Sequence, residues 1–369
     1  MTALEGVLDG RDGPVVPIPS GDRRESERLT TALRVGEQIA DEIALVVPTS
    51  GTTGTPKGAM LTAAALIASA SATHDRLGGP GSWLLALPAH HIAGIQVLVR
   101  SLQAGTVPAE IALDGGFDPA DLPAAVDELG SGRRYASLVA NQLSKALTDP
   151  AAVAALADLD AVLLGGGPAP RPVLEAAAAA GIAVVRTYGS SETAGGCVYD
   201  GVALDGVTLR IDDPGPGGEG RVVIGGATLA VGYRNPADPD PFDEPGWFRT
   251  DDCGVCDDTG RLSVLGRLDD AISTGGLTVM PAEVEAVLAR HPAVAECAVF
   301  GVADDRLGQR VVAAVVVRGD AAPALDEIKG WVADALDPTA APRQVHVVDE
   351  LPRRGIGKLD RAALRAQFG

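Results

Sequence analysis

Between residues 43 and 187, short runs of Val, Leu, Ile and Ala alternate with stretches in which apolar residues recur every three or four positions. The runs predict strands over 43–47, 83–87, 135–139, 161–164 and 183–186. The stretches between them predict helices over 62–77, 92–103, 141–147 and 171–180. Strand and helix in alternation predict an α/β fold with a parallel, doubly wound sheet. Ligands of such sheets bind at the carboxyl ends of the strands, so the loops after Val47, Leu164 and Arg186 are expected to share one site. All three loops are rich in glycine or hydroxyl side chains.

The rhythm then changes twice. From about 206 to 265, short strands and turns rich in Gly, Pro and Asp predict a small β subdomain. Beyond it come a helix over 281–289, strands over 295–302 and 310–317, a helix over 323–336, a strand over 344–348 and a last helix from Asp360. That order predicts a separate small α+β domain. The expected division is an N-terminal domain over 1–268, containing the β subdomain, and a C-terminal domain over 269–369.

Composition narrows the function classes. A chain of 369 residues exceeds the size at which one core keeps growing. Apolar residues make up 46% but aromatics only 3%, so the core is expected to consist of Ala, Val and Leu, which suits buried parallel strands. The formal charge of −19 opposes partnership with nucleic acid or with anionic membranes, both of which reward basic surfaces. No apolar run approaches the roughly 20 residues of a membrane span, and residues 1–24 lack a signal-peptide pattern, so the expected location is the cytoplasm. Cys253 and Cys256 form a C-x-x-C, but no second pair lies at zinc spacing, and they read as ordinary thiols. Lysine occurs only at 57, 145, 329 and 358, and two of those four lie in glycine-rich loops.

The densest chemical signal is Thr49-Ser50-Gly51-Thr52-Thr53-Gly54-Thr55-Pro56-Lys57-Gly58. Glycine admits an anion to the backbone, hydroxyls and N–H groups donate to it, and lysine adds a mobile positive charge, so phosphate is the expected ligand. The loop is not a Walker P-loop: Pro56 precedes the lysine and Gly58 follows it, where that motif has glycine and a metal-binding hydroxyl. The competing reading, a polar surface linker, sits poorly directly after a buried-type strand. Further along come Leu87-Pro88-Ala89-His90-His91, Tyr188-Gly189-Ser190-Ser191-Glu192-Thr193, Gly246-Trp247-Phe248-Arg249-Thr250-Asp251-Asp252, Gly266-Arg267-Leu268-Asp269-Asp270 and Pro352-Arg353-Arg354-Gly355-Ile356-Gly357-Lys358.

All six segments, in this order, resemble the acyl-adenylate-forming superfamily of acyl- and aryl-CoA ligases, adenylation domains and luciferases. The resemblance implies ATP, Mg²⁺ and CoA as cofactors and a small C-terminal domain that rotates about a hinge at Asp269. It implies that Thr49, Ser50, Gly51, Thr52, Thr53, Gly54, Thr55 and Lys57 cradle the phosphates, and that Glu192, with Thr53, holds Mg²⁺. Tyr188 would lie against the adenine, with Gly165, Gly166 and Gly167 admitting it to the backbone, and Gly189, Ser190 and Ser191 would also bind the nucleotide. Asp252 would accept the ribose hydroxyls, assisted by Arg267. Lys358 would reach the substrate carboxylate and α-phosphate, and His91 would lie at the acyl pocket. Bland readings stand beside two of these: a loop histidine is often a structural hydrogen-bonding residue, and Lys358 beside Arg353-Arg354 reads equally as part of a solvated basic tail.

Two features point further. The early phosphate loop and the run Ser137-Leu138-Val139-Ala140-Asn141-Gln142-Leu143 resemble the short actinobacterial kind of o-succinylbenzoate-CoA ligase of the menaquinone pathway. Such a substrate carries a second, unreactive carboxylate; Arg133, Arg134, Asn141, Gln142, Ser190 and Ser191 are the candidates to receive it. A ligase for another aryl or medium-chain acid would share every nucleotide residue. A regulatory nucleotide-binding protein would have lost one of Lys57, Glu192, Asp252, Arg267 or Lys358, and all are present. Asp251, where such ligases usually have glycine, leaves open which of the two aspartates meets ribose. A homodimer is expected to cover surface that longer relatives cover with chain.

Overall fold

The structure, a computed structural model, describes residues 1–19, 21–49, 56–319, 321–354 and 358–369, without the side chains of Arg354 and Lys358. The chain divides into two compact units, one of Met1–Arg210, Val223–Thr250 and Gly260–Leu262, the other of Ile211–Val222, Asp251–Thr259 and Ser263–Gly369.

Among the described residues before Val207, nine strands lie in the first unit: β1 (Ile43–Val47), β2 (Ala59–Thr62), β3 (Ser82–Leu85), β4 (Ala109–Glu110), β5 (Arg134–Val139), β6 (Ala161–Gly165), β7 (Val184–Ser190), β8 (Gly195–Tyr199) and β9 (Val202–Ala203). Seven of them form one sheet in the order β4-β3-β5-β6-β7-β8-β9. Its first five strands run parallel, and β8 and β9 turn back antiparallel. Period-two alternation inside the apolar runs splits the side chains between two cores. Trp83, Leu85, Tyr135, Ala161 and Leu163 meet Ala72 and Val97, from the helices Ala63–Leu77 and Ile92–Ala104. Leu84, Ala136, Leu138, Val162 and Leu164 meet Leu122, Leu143, Leu156 and Ala177, from the helices Leu122–Glu128, Ala140–Ala146, Pro150–Ala157 and Arg171–Ala179. Helices therefore cover both faces, as a doubly wound sheet requires.

One strand departs from expectation. β1 is buried along its length but does not join the parallel sheet; it pairs antiparallel with β2, from Ile43↔Thr62 to Val47↔Ala59. A parallel neighbour would need a crossover of a dozen or more residues, whereas residues 48–58 suffice for a hairpin. β1 and β2 thus form the two arms of a ribbon. A third extended segment lines that ribbon: Val231 N–H donates to Met60 O, Met60 N–H to Gly232 O and Arg234 N–H to Gly58 O.

Strands β10 (Val207–Asp212), β11 (Gly220–Gly226), β12 (Trp247–Cys256) and β13 (Leu262–Arg267) follow, in a sheet of that order. In the second unit, β14 (Ile272–Thr274) and β15 (Leu277–Val279) precede a long antiparallel hairpin of β16 (Val294–Asp304) and β17 (Gly308–Val317). β18 (Gln344–Val347) lies parallel to β17. One face of this sheet packs Val299, Val311 and Ala313 against Val284, Leu288, Ile328 and Val332 of the helices Pro281–Leu288 and Leu325–Ala333. The other packs Phe300, Val312 and Ala314 against Leu364 of the last helix, Arg361–Phe368. β19 (Arg353–Arg354) and β20 (Lys358–Leu359) form a separate short pair. Among the described residues no helix is long and apolar enough to cross a membrane.

Candidate active site

In the first unit, candidate groups collect where β6 and β7 end and where β2 begins. Of the phosphate loop, Ser50, Gly51, Thr52, Thr53, Gly54 and Thr55 lie outside the described residues. Its two ends are described: Thr49 is half-buried, and so is Lys57. Lys57 is anchored through its backbone, because Asn235 N–H donates to Lys57 O at 2.9 Å. The Asn235 side chain adds bonds from Nδ2 to Pro56 O at 2.8 Å and to Ala32 O at 2.7 Å. The Lys57 ammonium lies 5.2 Å from the centre of the Tyr233 ring, within cation–π range.

The Tyr233 hydroxyl donates in turn to Glu192 Oε1 at 2.6 Å, the length of a charge-assisted bond. Glu192 is only 9% exposed and sits in the 3₁₀ turn Ser191–Thr193 at the end of β7. Thr193 fixes that turn: its hydroxyl accepts from Ser190 N–H at 2.9 Å and reaches Gly195 O at 2.7 Å. Tyr188, Gly189 and Ser190 are the last three residues of β7. Only glycine fits at 189, since a Cβ there would lie 2.1 Å from Gly195 O. Gly165 ends β6, and Gly166 follows at φ +82°, a left-handed turn that brings bare backbone to the sheet edge beside Gly167.

His91 is the N-cap of the helix Ile92–Ala104, its ring 4.3 Å from that of His90. Burial pushes the His90 imidazole down from its usual pKa. The acyl candidates separate. Asn141 is exposed just past β5, while Gln142 is buried and spends its amide on structure, donating to Ala86 O at 2.7 Å and accepting from Val139 N–H at 3.0 Å. Arg134 does not join them. It begins β5, at the amino edge of the sheet, where its guanidinium binds Asp158 Oδ2 at 2.9 Å and Asp158 O at 2.8 Å. Arg133 precedes it at that same edge.

In the second unit, Asp251 and Asp252 lie on β12 and Arg267 ends β13. Arg267 Nε and Nη2 grip Asp269 at 2.8 and 2.9 Å in a bidentate fork, Nη2 also reaches Asp251 at 3.2 Å, and Nη1 lies 4.0 Å from Asp252. Asp251 is further met by Arg221 at 3.6 Å. The fork to Asp269 raises the Arg267 pKa and lowers that of Asp269. The predicted ribose helper is therefore bound to the predicted hinge residue. Asp252 is the more sheltered aspartate, its side chain 22% exposed against 60% for Asp251. Lys358 begins β20, opposite Arg354.

Tyr233 went unnoticed in the sequence, although the signal was available. Of four tyrosines, Tyr135 and Tyr199 are core residues, which leaves Tyr188 and Tyr233 to act at a site.

Comparison with known proteins bears on this arrangement. Residues 11–234 match the family described as AMP-binding enzyme, and 283–358 match the AMP-binding enzyme C-terminal domain. The probable 2-succinylbenzoate–CoA ligase of Mycobacterium tuberculosis is 67% identical over 372 residues, spanning 100% of this chain and 94% of that protein. The 2-succinylbenzoate–CoA ligase of Bacillus cereus is 34% identical, spanning 97% of this chain and 76% of its own. Among solved structures, the o-succinylbenzoate CoA synthetase of Bacillus subtilis in complex with the acyl-adenylate intermediate OSB-AMP superposes with a TM-score of 0.75. It is 31% identical, covering 88% of this chain and 68% of that one. The amide bond synthetase McbA from Marinactinospora thermotolerans reaches a TM-score of 0.80 at 28% identity, covering 90% and 71%.

Proposed function

Because this chain belongs to the AMP-binding enzyme family, we propose that it is an ATP-dependent acid–thiol ligase joining o-succinylbenzoate to CoA, in menaquinone synthesis. The observation that carries the choice of acid is the 67% identity, across the whole chain, with a ligase of that name. Likeness of fold does not choose it, since an amide bond synthetase superposes as well.

In this reading the acid's carboxylate oxygen attacks the α-phosphorus of ATP and pyrophosphate leaves. The thiol of CoA then attacks the acyl carbon and AMP leaves. Both steps gather negative charge that fixed cations and dipoles must meet. Lys57 takes the departing phosphates, the Tyr188 ring and the glycines at 165–167 receive adenine, Asp252 receives ribose, and Lys358 joins the two reacting anions. Two catalytic geometries on one chain call for a turn about Asp269.

Mg²⁺ is part of the reading. Among the described residues no three His, Cys, Asp or Glu side chains gather as a metal cage. Mg²⁺ at nucleotides needs only one or two carboxylates beside phosphate and water, and Glu192 supplies a buried, oriented one. The ion would neutralise phosphate charge. A cytoplasmic location and a homodimer complete the proposal, and a monomer in light scattering would remove the last.

The test is pyrophosphate release from ATP with o-succinylbenzoate, benzoate, coumarate or octanoate, with and without CoA. Preference for o-succinylbenzoate with a CoA thioester as product is expected. Preference for another acid would overturn the substrate and keep the mechanism. Lys358→Ala should nearly abolish adenylation and spare thioester formation from supplied acyl-adenylate; equal loss of both would remove its assigned role. Asp269→Pro, which fixes φ and restricts the preceding residue, should do the reverse.

A further inference from the structure

One short segment of the first unit touches both groups assigned to the phosphates. At its start, Ala230 N–H donates to Glu192 O at 2.8 Å. At its end, Asn235 N–H donates to Lys57 O at 2.9 Å. Tyr233 stands between them, bridged to Ala59 across the ribbon. Its hydroxyl meets Glu192 Oε1 at 2.6 Å and its ring lies 5.2 Å from the Lys57 ammonium. Phe242 packs edge-on against that ring at 5.4 Å and itself stacks on Phe248 at 4.9 Å. Arg234 fixes the backbone next door by donating to the carbonyls of Leu33 and Gln38. The tyrosine is thus held on three sides and has little freedom to leave either partner.

We propose that Tyr233 is a positioning residue for adenylation, setting the spacing between Glu192 and Lys57 before the nucleotide arrives. The hydroxyl holds the Glu192 carboxylate in one rotamer, which an isolated carboxylate would not keep. The ring offers the ammonium a weak, easily relinquished partner, so that Lys57 stays near the site yet transfers to phosphate at small cost. A carboxylate in place of that ring would hold lysine far more tightly. Preorganisation of this kind raises the rate of the step that uses the pair and leaves other steps alone. The inference rests on the preceding reading, in which Lys57 and Glu192 serve ATP.

The experiment compares Tyr233→Phe, Glu192→Gln and the double variant in both half-reactions, with thermal unfolding as a control. Phenylalanine keeps the ring under Lys57 and removes the hydroxyl that binds Glu192. A charge-assisted hydrogen bond of ordinary strength corresponds to a fall of about 30-fold in kcat for pyrophosphate release. Thioester formation from supplied acyl-adenylate and the KM for the acid should stay unchanged, while the unfolding midpoint falls modestly because the buried Glu192 carboxylate loses a donor. In the Glu192→Gln background the tyrosine substitution should have no further effect, because the two act as one unit. Tyr233→Leu should raise the KM for ATP beyond the phenylalanine variant. Equal loss in both half-reactions, or unchanged adenylation, would overturn the role of Tyr233. Unchanged adenylation in Glu192→Gln and Lys57→Ala would instead overturn the reading beneath it.

Discussion

At the scale of single residues, a strongly perturbed histidine, His74, lies in the core. Trp83 Nε1–H donates to His74 Nε2 at 3.3 Å, and the Arg100 guanidinium stacks on the same indole at 4.7 Å. Burial, then the positive charge of Arg100, lowers the His74 pKa to about 4. In the unfolded chain it returns to about 6.5, so between those values the unfolded state binds the extra proton and stability falls with acidification. The loss should approach about 3 kcal/mol between pH 7 and pH 4. Unfolding midpoints against pH check this, and His74→Gln, which keeps an acceptor for the indole, should flatten the slope. Legibility at this scale followed chemistry rather than place. Lys57 and Glu192 stood out because their neighbours were hydroxyls and glycines. Arg134 was misplaced because its nearness in sequence to Asn141 does not say which end of a strand each occupies. Tyr233 escaped because its partners Glu192 and Lys57 lie far away along the chain, 41 positions off in the case of Glu192 and several times farther in the case of Lys57.

At the scale of elements, local signals served well. The helix expected over 62–77 is Ala63–Leu77, with Thr62 Oγ1 capping Ala65 N–H at 3.1 Å, and the last helix starts after Asp360, which caps Ala363 N–H at 3.0 Å. Strand partners are non-local, and there β1 departed from expectation: nothing within 43–47 distinguishes a sheet member from one arm of a ribbon. β7 likewise runs on to Ser190 because β8 extends it. The last helix is held by charge as well as by Leu364. Arg361 grips both Glu285 oxygens at 2.6 and 2.7 Å and reaches Asp270 at 3.3 Å, while Arg365 meets Asp270 at 2.8 Å. Burial nevertheless pushes the Glu285 carboxyl up, so it depends on that arginine to stay ionised. Arg361→Ala should therefore cost the second unit about 3 kcal/mol, read as a lower unfolding midpoint. A paired Arg361→Met, Glu285→Leu variant should recover most of it. Full stability of Arg361→Ala would show that Leu364 alone holds the helix.

For the whole molecule, a chain of formal charge −19 with the proposed anionic substrates would have to recruit them against its own field. This is why the few cations of the proposed site matter more than their number suggests. The two-part organisation was legible from the change of rhythm, because each part carries its own apolar period. How contacts apportion β10 to β13 was not, because compactness is a property of folded neighbours rather than of runs along the chain. The same organisation has an optical consequence. Trp83 is sealed in the first unit, whereas Trp331 in the second is 39% exposed, its Nε1–H on Val287 O at 3.1 Å. With Trp247→Phe removing the remaining indole, blue-shifted emission would come from one unit and red-shifted emission from the other. The protein thus carries a two-colour intrinsic fluorophore pair that separates the melting of each unit without an attached dye.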